Sequence, residues 1–423
     1  MRETKSRPIH TCLACGHSPT GNGSLINCVH RGLWHSTFTS CTPRCGWGLG
    51  VSNLGKCHYS CCFSTDQNET VCSKNQSHSY SVDPTPNIIL AQKHLFGVTD
   101  CPRYVVDLDA PPKTRWNHIV KAYTEYFPSV VSIVEDILGS SYAASIASTI
   151  LSSAAKTGFV YYGDELRGIA HATNVPLGRV VMLQIAYEAF AACTSIVIDG
   201  PHGYPLHIRT MDWDMPELKP LTIEVDFIQN GVILYSATTW AGYVGVLTGV
   251  RPGGYSVSVN YRRTELGAQN GISGILTNLK RGVVGHWPVS FLVREVLSSE
   301  QTFNIAVGNL CASELMAPVY LTICGTQPGE GLVLSRDREG KNTAECVCER
   351  LDEKCDSVVQ TNMDIYKCDR NDVKDDWQDI CDSRYRRSFA KAALASVESL
   401  SMNDLWLLFS CYPCLACDTV YTT

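Results

Sequence analysis

A single cysteine, Cys193, stands between an alanine-rich apolar run and a strand-like apolar segment in the stretch FAACTSIVIDG. A cysteine in such surroundings is most often a small buried apolar residue, and half of a disulfide is a second interpretation. A nucleophile is the third, because Cys193 lies where a helical pattern changes to a strand pattern and hydroxyl side chains follow it directly. The residues alone leave these three interpretations open.

A charged pair follows this cysteine along the chain. Arg209 and Asp212 lie three residues apart in RTMD, sixteen residues beyond Cys193. If HIRTMDW begins as a strand and then turns, both side chains can reach back toward the thiol. An arginine beside a thiol favours the thiolate, and a carboxylate can orient an amine or hold the arginine. Most Arg–Asp pairs are solvated surface charges, so the pair by itself is weak evidence for a catalytic site.

Composition narrows the class of protein. The 423 residues are 44% hydrophobic and 18% charged, as is ordinary for a globular protein. A net charge of −6 without a basic stripe argues against nucleic acid as the main partner. The sequence shows no apolar run long enough to predict a transmembrane helix, and MRETKSRPIHTCLACGHSP lacks the apolar core of a signal peptide.

The 21 cysteines are unevenly placed. Ten lie between Cys12 and Cys101 and ten between Cys311 and Cys417, which is typical of disulfides in an oxidising compartment. Glycosylation sequons at Asn22, Asn68 and Asn75 are compatible with a glycoprotein. We therefore expect a lysosomal or secreted protein, although no signal peptide is visible. Cys12 with Cys15, and Cys411, Cys414 and Cys417, have the spacing of metal ligands, but partner pairs with clear zinc spacing are lacking, so disulfides or free thiols are the favoured interpretation and we expect no metal.

The order of patterns along the chain predicts its organisation. Residues 1–100 have no sustained periodicity, and we interpret them as a loop-dominated appendage of unknown role or as sequence outside the folded protein. Residues 101–192 begin with the strand-like YVVDLD and continue with apolar residues at helical spacing. Within residues 193–423, strand patterns give way to helical patterns and then return. This order predicts an α+β fold of packed layers.

The run SSYAASIASTILSSAA is rich in small residues and almost uncharged. Its helical pattern is compatible with tight packing in a core or with contact to a membrane surface or micelle. Core packing is the more common use of such a helix, and lipid contact remains the alternative.

Several blocks in a fixed order resemble one family. CTSIV, KPLT, GYVGVLTG and VVQTNMD, preceded by DLDAPPKTRW and followed by RRSFAKA and VYTT, are similar to blocks of acid ceramidase and N-acylethanolamine-hydrolysing acid amidase. These are N-terminal-nucleophile cysteine amidases related to bile salt hydrolase and penicillin V acylase. The resemblance covers residues 101–423. It implies a four-layer αββα sandwich formed by residues 193–423 and a helical α-subunit of residues 101–192 that stays bound.

The resemblance implies that Cys193 is the nucleophile and that the chain cuts itself between Ala192 and Cys193. The cut exposes an α-amine with a pKa near about 8, which can serve as the base for the thiol of the same residue. No separate histidine is then required. His207 and His286 are expected to be structural or surface residues.

The same comparison assigns roles to four more residues. Arg209 and Asp212 match the arginine and aspartate that lie beside the nucleophile in the family. Asn362 matches an asparagine thought to stabilise the oxyanion, and Arg386 matches an arginine near the active centre. Without the resemblance, Asn362 reads as a turn residue and Arg386 as a solvated charge.

Two departures from the family pattern affect substrate choice and alignment. In VNYRR, Tyr261 stands where the mammalian enzymes have glutamate; a tyrosine can still donate a hydrogen bond, but its charge differs. The spacing from Asn362 to Arg386 is also longer than in the mammalian enzymes. The insertion KCDRNDVKDDWQDICD fills it, and we interpret this as a surface loop clipped by Cys368 and Cys381.

The resemblance implies hydrolysis of a lipid amide without a metal or organic cofactor. The short WDMPE segment favours an N-acylethanolamine substrate, and ceramide is the alternative. Two other classes stay open: a non-catalytic relative that binds lipids, and a cysteine-rich extracellular interaction protein in which residues 1–100 are the working part.

Overall fold

A computed structural model describes residues 34–35, 58–59, 101–129, 131–132, 141–158, 160–185, 192–200, 203–213, 215–262, 277–278, 280–282, 285–353, 355–364, 383–395, 405, 414–415 and 419–423. The chain divides into two compact units. One comprises residues 1–99 with 374–419, and the other, which we call the main unit, comprises residues 100–373 with 420–423.

The elements, in chain order, have the following bounds. The strands are β1 (Trp34–His35), β2 (His58–Tyr59), β3 (Arg103–Asp107), β4 (Ala192–Asp199), β5 (Pro205–Asp212), β6 (Thr222–Gln229), β7 (Val232–Trp240), β8 (Thr248–Arg251), β9 (Tyr255–Tyr261), β10 (Val319–Cys324), β11 (Gly331–Arg336), β12 (Val347–Arg350), β13 (Ser357–Gln360) and β14 (Thr419–Thr422). The helices are α1 (Asn117–Ala122), α2 (Ser141–Lys156), α3 (Gly163–Thr173), α4 (Leu177–Ile185), α5 (Val289–Ser299), α6 (Phe303–Ala312), α7 (Thr343–Cys346) and α8 (Ser383–Ala395).

The cysteine-rich N-terminal region is described only at β1 and β2, which pair in antiparallel register. The three sequons and the cysteines between Cys12 and Cys72 lie outside the described residues, as do Cys368 and Cys381. The predicted role of residues 1–100 and the predicted disulfide-clipped loop therefore stay predictions.

The helical segment before Cys193 packs through small residues. A Cβ atom on Gly178 of α4 would lie 1.8 Å from the carbonyl oxygen of Ser148 on α2, so these helices meet through their backbones. The Ser152 hydroxyl on α2 accepts a hydrogen bond of 2.8 Å from the Gly178 amide. This close approach explains the small side chains of α2, and its contact with lipid stays a prediction.

The large sheet has eight strands in the order β12-β11-β10-β9-β8-β7-β6-β3. Neighbouring strands are antiparallel except β3 and β6, which are parallel. The edge strand β3 precedes Cys193 in the chain, whereas the other seven follow it. The predicted α-subunit-like segment thus supplies one strand to a sheet that the later segment otherwise builds.

The small sheet has four strands in the order β13-β4-β5-β14. Its strand β4 packs against β9, β10 and β11 of the large sheet, and β5 packs against β10. Helix α5 packs against β7, β8 and β9, and α6 packs against β10. Helices and two facing sheets therefore form successive layers, which confirms the predicted α+β fold class. Helix α8 belongs to the other compact unit.

Local sequence signals explain some boundaries and miss others. The Asn230-Gly231 turn predicted from the sequence joins β6 to β7, and both residues take the left-handed backbone conformation at φ 51° and 77°. Helix α7 is too short for periodicity to predict. A capping box holds it, in which Asn342 and Glu345 each bond the backbone N–H of the other.

Candidate active site

The pairing of β4 with β5 places Cys193 among the residues that the sequence singled out. Cys193 lies opposite Met211 in the register, and Ser195 lies opposite Arg209. Because side chains alternate along a strand, these four residues point to the same face of the small sheet. The Nη2 atom of Arg209 is 3.1 Å from the Sγ of Cys193, and the Sδ of Met211 is 3.6 Å from it.

The Arg209 guanidinium is buried and held by several neutral acceptors. Its Nη1 donates to the Tyr421 hydroxyl at 2.8 Å and to the Thr248 hydroxyl. Its Nη2 donates to the Val259 carbonyl at 2.8 Å as well as approaching Cys193. These contacts fix the guanidinium before any reaction starts, so that it needs no reorganisation to meet charge on the sulfur.

Asn362 follows β13 and reaches the backbone of Cys193. Its Oδ1 accepts a hydrogen bond of 2.8 Å from the Cys193 amide nitrogen, and its Nδ2 donates one of 2.9 Å to the Tyr261 carbonyl. The two contacts fix the orientation of the Asn362 amide. The nitrogen held in this way belongs to the Ala192–Cys193 peptide bond, the predicted cleavage site. The predicted oxyanion role of Asn362 stays a prediction, and the geometry adds the holding of this nitrogen.

Tyr261 meets Asn362 through its main chain, and any residue at this position would supply the same carbonyl. The next residue, Arg262, donates to Asp364 at 2.9 Å and to Asp337 at 2.7 Å. Arg262 follows Tyr261 directly, and Asp364 lies two residues beyond Asn362. This ion pair therefore ties together the two segments that meet at the Tyr261–Asn362 hydrogen bond.

Asp212 is fully buried and lies opposite Ala192 in the β4–β5 register. The Thr210 hydroxyl donates to its Oδ2 at 3.4 Å. The strand register thus places a carboxylate beside the residue that precedes the predicted nucleophile. The role of Asp212 in holding an amine stays a prediction.

Arg386 lies in α8, in the other compact unit, and its side chain is buried. Its predicted place near the active centre stays a prediction. The residues that the structure brings together within the main unit are therefore Cys193, Arg209 and Asn362, with Asp212 and the Tyr261 carbonyl adjacent to them in the register or through a hydrogen bond.

Sequence reasoning missed two of the residues that hold Arg209. Tyr421 and Thr248 donate and accept within one cluster, with 2.9 Å between their hydroxyl oxygens. Burial raises the pKa of Tyr421, so its hydroxyl keeps its proton. Tyr421 lies within the VYTT block that carried the family resemblance, and that block was the available signal.

In the part of the chain that the structure describes, the His, Cys, Asp and Glu side chains form no group of three or more that could hold a metal ion. Among the described helices, none combines the length and the apolar character that a membrane span requires.

A family model gives the first comparison with known proteins. The model, described as the beta subunit of N-acylethanolamine-hydrolyzing acid amidase, matches residues 99–158. This stretch runs from before β3 through α2 and lies wholly before Cys193. The segment that the model names as beta subunit is the one that the sequence analysis named α-subunit-like, and the domain boundaries stay predictions.

Relatives extend the comparison over most of the chain. N-acylethanolamine-hydrolyzing acid amidase of Caenorhabditis elegans is 36% identical over 280 residues, which cover 62% of this chain and 75% of that protein. Acid ceramidase of Mus musculus is 33% identical over 345 residues, which cover 76% and 82%. A solved structure of the C. elegans N-acylethanolamine-hydrolyzing acid amidase ortholog matches with a TM-score of 0.46 at 33% identity, over 55% of this chain and 91% of that chain. On the identity and coverage of these relatives, the chain belongs to the family of N-acylethanolamine-hydrolyzing acid amidase and acid ceramidase.

Proposed function

We propose that this protein is a lipid amidase that cuts itself before Cys193 and then hydrolyses the amide bond of N-acylethanolamines, with ceramide as the alternative substrate. One observation carries the proposal. In a chain whose relatives are named amidase and ceramidase, the Cys193 thiol lies 3.1 Å from a buried arginine while Asn362 holds the Cys193 nitrogen at 2.8 Å. The contacts place one cation at the sulfur and one acceptor at the nitrogen.

Self-cleavage uses these contacts in order. The Cys193 sulfur attacks the carbonyl carbon of Ala192, the C–N bond between the two residues breaks, and the thiol proton passes to the departing nitrogen. Ala192 is then joined to the sulfur as a thioester, which water hydrolyses to a carboxylate and a free thiol. Asn362 accepts from the nitrogen before the bond breaks, and the same Oδ1 can accept from the new α-amine.

Substrate turnover repeats this chemistry on a fatty amide. The α-amine of Cys193 takes the thiol proton, and the thiolate attacks the amide carbonyl while Arg209 stabilises charge at the sulfur. The proton then leaves with the amine product, and a fatty acyl thioester remains. Water attacks this thioester and releases the fatty acid, which restores the thiol.

His207 and His286, which were expected to be structural or surface residues, have partners other than Cys193. His207 contacts the hydroxyls of Ser256 and Ser258 at 2.8 and 2.9 Å, and His286 pairs with Glu314 at 2.7 Å. These contacts support the α-amine of Cys193 as the base for its own thiol.

Apolar surroundings support a lipid substrate. Cys193 belongs to the main apolar core, and the aromatic rings of Trp213, Trp240 and Tyr421 follow one another with centroids 5.8 and 6.1 Å apart. Tyr421 is also the residue to which Arg209 donates. An acyl chain meets such side chains at little desolvation cost, unlike a charged substrate. The short WDMPE segment favours the ethanolamide over the ceramide.

The cut chain is proposed to remain an α/β heterodimer that works in a lysosomal or secreted setting and reaches its substrate at a membrane surface or micelle. The parallel pairing of β3 with β6 supports retention of the two pieces, since it joins them in one sheet. A buried ion pair between Glu165 and Arg294, at 2.7 Å, also crosses the proposed cut.

The test combines intact mass with turnover. The purified chain is held at about pH 4.5 and about pH 7.5, and its denatured mass is followed beside Cys193→Ala and a matched control, Cys324→Ala, which removes another buried thiol. Release of fatty acid from an N-acylethanolamine and from a ceramide is measured on the same samples. We expect the wild type and Cys324→Ala to yield two pieces that meet at Ala192/Cys193 and to release fatty acid, and Cys193→Ala to do neither. A wild-type chain that stays whole and binds both lipids without turnover would support the non-catalytic lipid-binding class instead.

A further inference from the structure

A row of polar side chains crosses the interface between the two sheets beside Cys193. We call it the polar layer; it consists of His207 on β5, Ser256, Ser258 and Asn260 on β9, and Ser195 on β4. Ser195, Ser258 and Asn260 are fully buried. Buried polar groups in such number are costly unless each has a partner, so their hydrogen bonds define what the layer does.

The layer is continuous. The His207 ring nitrogens lie 2.8 Å from Ser256 and 2.9 Å from Ser258. The hydroxyls of Ser258 and Ser195 are 2.8 Å apart, and the Ser195 hydroxyl is 2.7 Å from the Oδ1 of Asn260. The Nδ2 of Asn260 then reaches two main-chain carbonyls, those of residues 360 and 361, at 2.9 and 3.2 Å.

The two carbonyls fix the direction of every donor in the layer. A carbonyl only accepts, so the amide nitrogen of Asn260 faces them and its oxygen faces Ser195. Ser195 must donate to that oxygen, and Ser258 must donate to Ser195. With its proton used, Ser258 accepts from Nε2 of His207, and Nδ1 of a neutral imidazole accepts from Ser256. All donors therefore point toward the end of β13.

A neutral His207 is consistent with this order. Burial, followed by the positive charge of Arg209, lowers the pKa of His207 to about 3. The imidazole thus stays uncharged under mildly acidic conditions, and the donor order does not change there.

The polar layer contacts both segments that carry the site, namely strand β4 with Cys193 and the segment that leads to Asn362. Ser195 lies two residues beyond Cys193 on β4 and opposite Arg209 in the register. The carbonyls that Asn260 binds belong to the two residues directly before Asn362, which holds the Cys193 nitrogen at 2.8 Å. One amide side chain therefore binds the nucleophile strand on one side and the Asn362 segment on the other.

We propose that Asn260 is a positioning residue for both self-cleavage and amide hydrolysis: with Ser195 it sets the distance between the Cys193 nitrogen and the Asn362 side chain. The inference rests on the proposed function. A misplacement of about 1 Å at a reacting group can cost about 100-fold in rate, so loss of these bonds should slow chemistry rather than binding.

The experiment compares Asn260→Ala, Asn260→Asp and Ser195→Ala with a matched control, Tyr255→Phe. Tyr255 lies on the same strand β9, and its hydroxyl donates to two main-chain carbonyls, those of Val296 and Glu300, at 2.9 and 3.3 Å. The control thus loses two bonds to main-chain carbonyls from the same strand, as Asn260→Ala does, without touching the polar layer. Rate of self-cleavage, kcat, KM and melting temperature are measured for each.

We expect Asn260→Ala to slow cleavage and kcat by about 10- to 100-fold with KM within about twofold, and Ser195→Ala to slow them by about three- to tenfold. Tyr255→Phe should lower the melting temperature while it leaves both rates within about twofold of wild type. Ser195→Ala removes two bonds, those with Asn260 and Ser258, and leaves the Asn260 contacts to the two main-chain carbonyls, so it serves as the readout where Asn260→Ala fails to fold.

Asn260→Asp adds a signature that a purely structural role would not give. A protonated carboxyl has one acceptor oxygen for Ser195 and one O–H that replaces one of the two donors of the amide, whereas a carboxylate only accepts. After cleavage at about pH 4.5, the activity of Asn260→Asp relative to wild type should therefore fall as the assay pH rises toward about 7.

Four results separate the possible failures. Asn260→Ala and Ser195→Ala variants that cleave and turn over like wild type would overturn the inference, and so would Tyr255→Phe if it slowed the rates as much as they do. An Asn260→Asp to wild-type ratio that is constant across pH would overturn it as well. If wild type neither cleaves nor hydrolyses a fatty amide, the proposed function fails and this inference falls with it.

Discussion

Two buried arginines in the main unit show how one side chain can serve stability in one place and chemistry in another. Arg294 and Arg209 are each 1% exposed. Arg294 donates through both terminal nitrogens to the Glu165 carboxylate, at 2.7 and 2.8 Å. Arg209 donates to the Cys193 sulfur at 3.1 Å, to a hydroxyl of Tyr421 and to main-chain oxygen.

The difference lies in when the partner becomes an anion. Glu165 is a carboxylate throughout, and it also accepts from Arg115 at 3.0 Å and from the indole of Trp116 at 2.6 Å. Cys193 becomes an anion only when it gives up its proton to react. Arg294 therefore stabilises the folded protein that exists before reaction, whereas Arg209 is placed to stabilise a state that forms during it.

The largest effect should come from breaking the structural pair. Glu165→Gln leaves the Arg294 charge buried beside a neutral amide, and we expect a loss of about 3–5 kcal/mol in the free energy of unfolding. The double variant Glu165→Leu with Arg294→Met removes both charges and should lose less than Glu165→Gln alone. Urea unfolding in the Cys193→Ala background measures both without interference from cleavage.

Losses in the double variant as large as those in Glu165→Gln, or larger, would contradict the assignment of a shared ion pair. They would mean that Glu165 and Arg294 act on stability independently, for instance through Arg115 and Tyr235, which also contact the pair.

Replacing Arg209 should mainly lower the rate of self-cleavage, whereas breaking the Glu165–Arg294 pair mainly lowers stability. Arg209→Met keeps much of the apolar volume of the side chain but removes the charge beside Cys193, and we expect self-cleavage to slow by about 100- to 1,000-fold. Arg209→Lys restores a charge without the planar fork and should recover part of the rate. Intact mass against time gives the rate, and the melting temperature of each variant in the Cys193→Ala background shows whether the fold survives.

If the Arg209→Met variant cleaves itself at the wild-type rate, Arg209 has no role in the cleavage site. A large fall in melting temperature with normal cleavage in the surviving molecules would place Arg209 in the same class as Arg294. Either result would break the comparison.

The sequence predicted one of these regions and not the other. Cys193, Arg209 and Asn362 were singled out because they lie in ordered blocks that resemble a family. The Glu165–Arg294 pair joins residues 129 positions apart, and neither residue stands in a recognisable motif. Tertiary packing alone brings them together.

Strand patterns and turn signals predicted the fold class, because alternation and turn residues act locally. They could not show that β3 joins the large sheet beside β6, since a parallel pairing across 121 positions leaves no local signal. Tyr261 shows a further limit. Its side chain drew attention because it departs from the family pattern, yet the hydrogen bond from Asn362 goes to its main-chain carbonyl, which every residue type has.

His207, which lies near Arg209, makes the stability of this region depend on pH. Burial and the Arg209 charge lower the pKa of His207 to about 3, whereas an unfolded chain has a histidine pKa of about 6.5. As pH falls below about 6.5, the unfolded state binds a proton that the folded state does not, so the folded state loses stability. Between about pH 7.5 and about pH 5, this should cost at most about 2 kcal/mol.

His207→Gln isolates that effect, because glutamine offers an acceptor oxygen and a donor nitrogen, as a neutral imidazole offers one nitrogen of each kind, but does not titrate. Unfolding free energies in the Cys193→Ala background should fall with acidification by up to about 2 kcal/mol more in the parent than in the His207→Gln variant. Equal losses of unfolding free energy in the two proteins would show that the fold does not keep His207 uncharged at mildly acidic pH.

A third arginine, Arg262, has a structural contact and a contact close to the site. Variants of its two carboxylate partners give the smallest effect that we expect. Arg262 binds two carboxylates, Asp364 at 2.9 Å and Asp337 at 2.7 Å, but only Asp364 lies in the segment that carries Asn362. Tyr320 also donates to Asp364, at 2.7 Å. If this pairing helps to aim Asn362, Asp364→Asn should slow self-cleavage by about tenfold, and Asp337→Asn by less than about twofold.

Both variants leave Arg262 with one carboxylate, so a loss that reflects only the charge of Arg262 would be alike in the two. The Asp364 side chain is 7% exposed and that of Asp337 is 41% exposed, so Asp364→Asn should also lower the melting temperature more. For this reason kcat and KM decide the matter: aiming of Asn362 predicts a lower kcat at unchanged KM in Asp364→Asn. A lower melting temperature with both constants unchanged would make Arg262 a structural arginine of the Arg294 kind, and Asn362 would then depend on the Tyr261 carbonyl and the polar layer for its position.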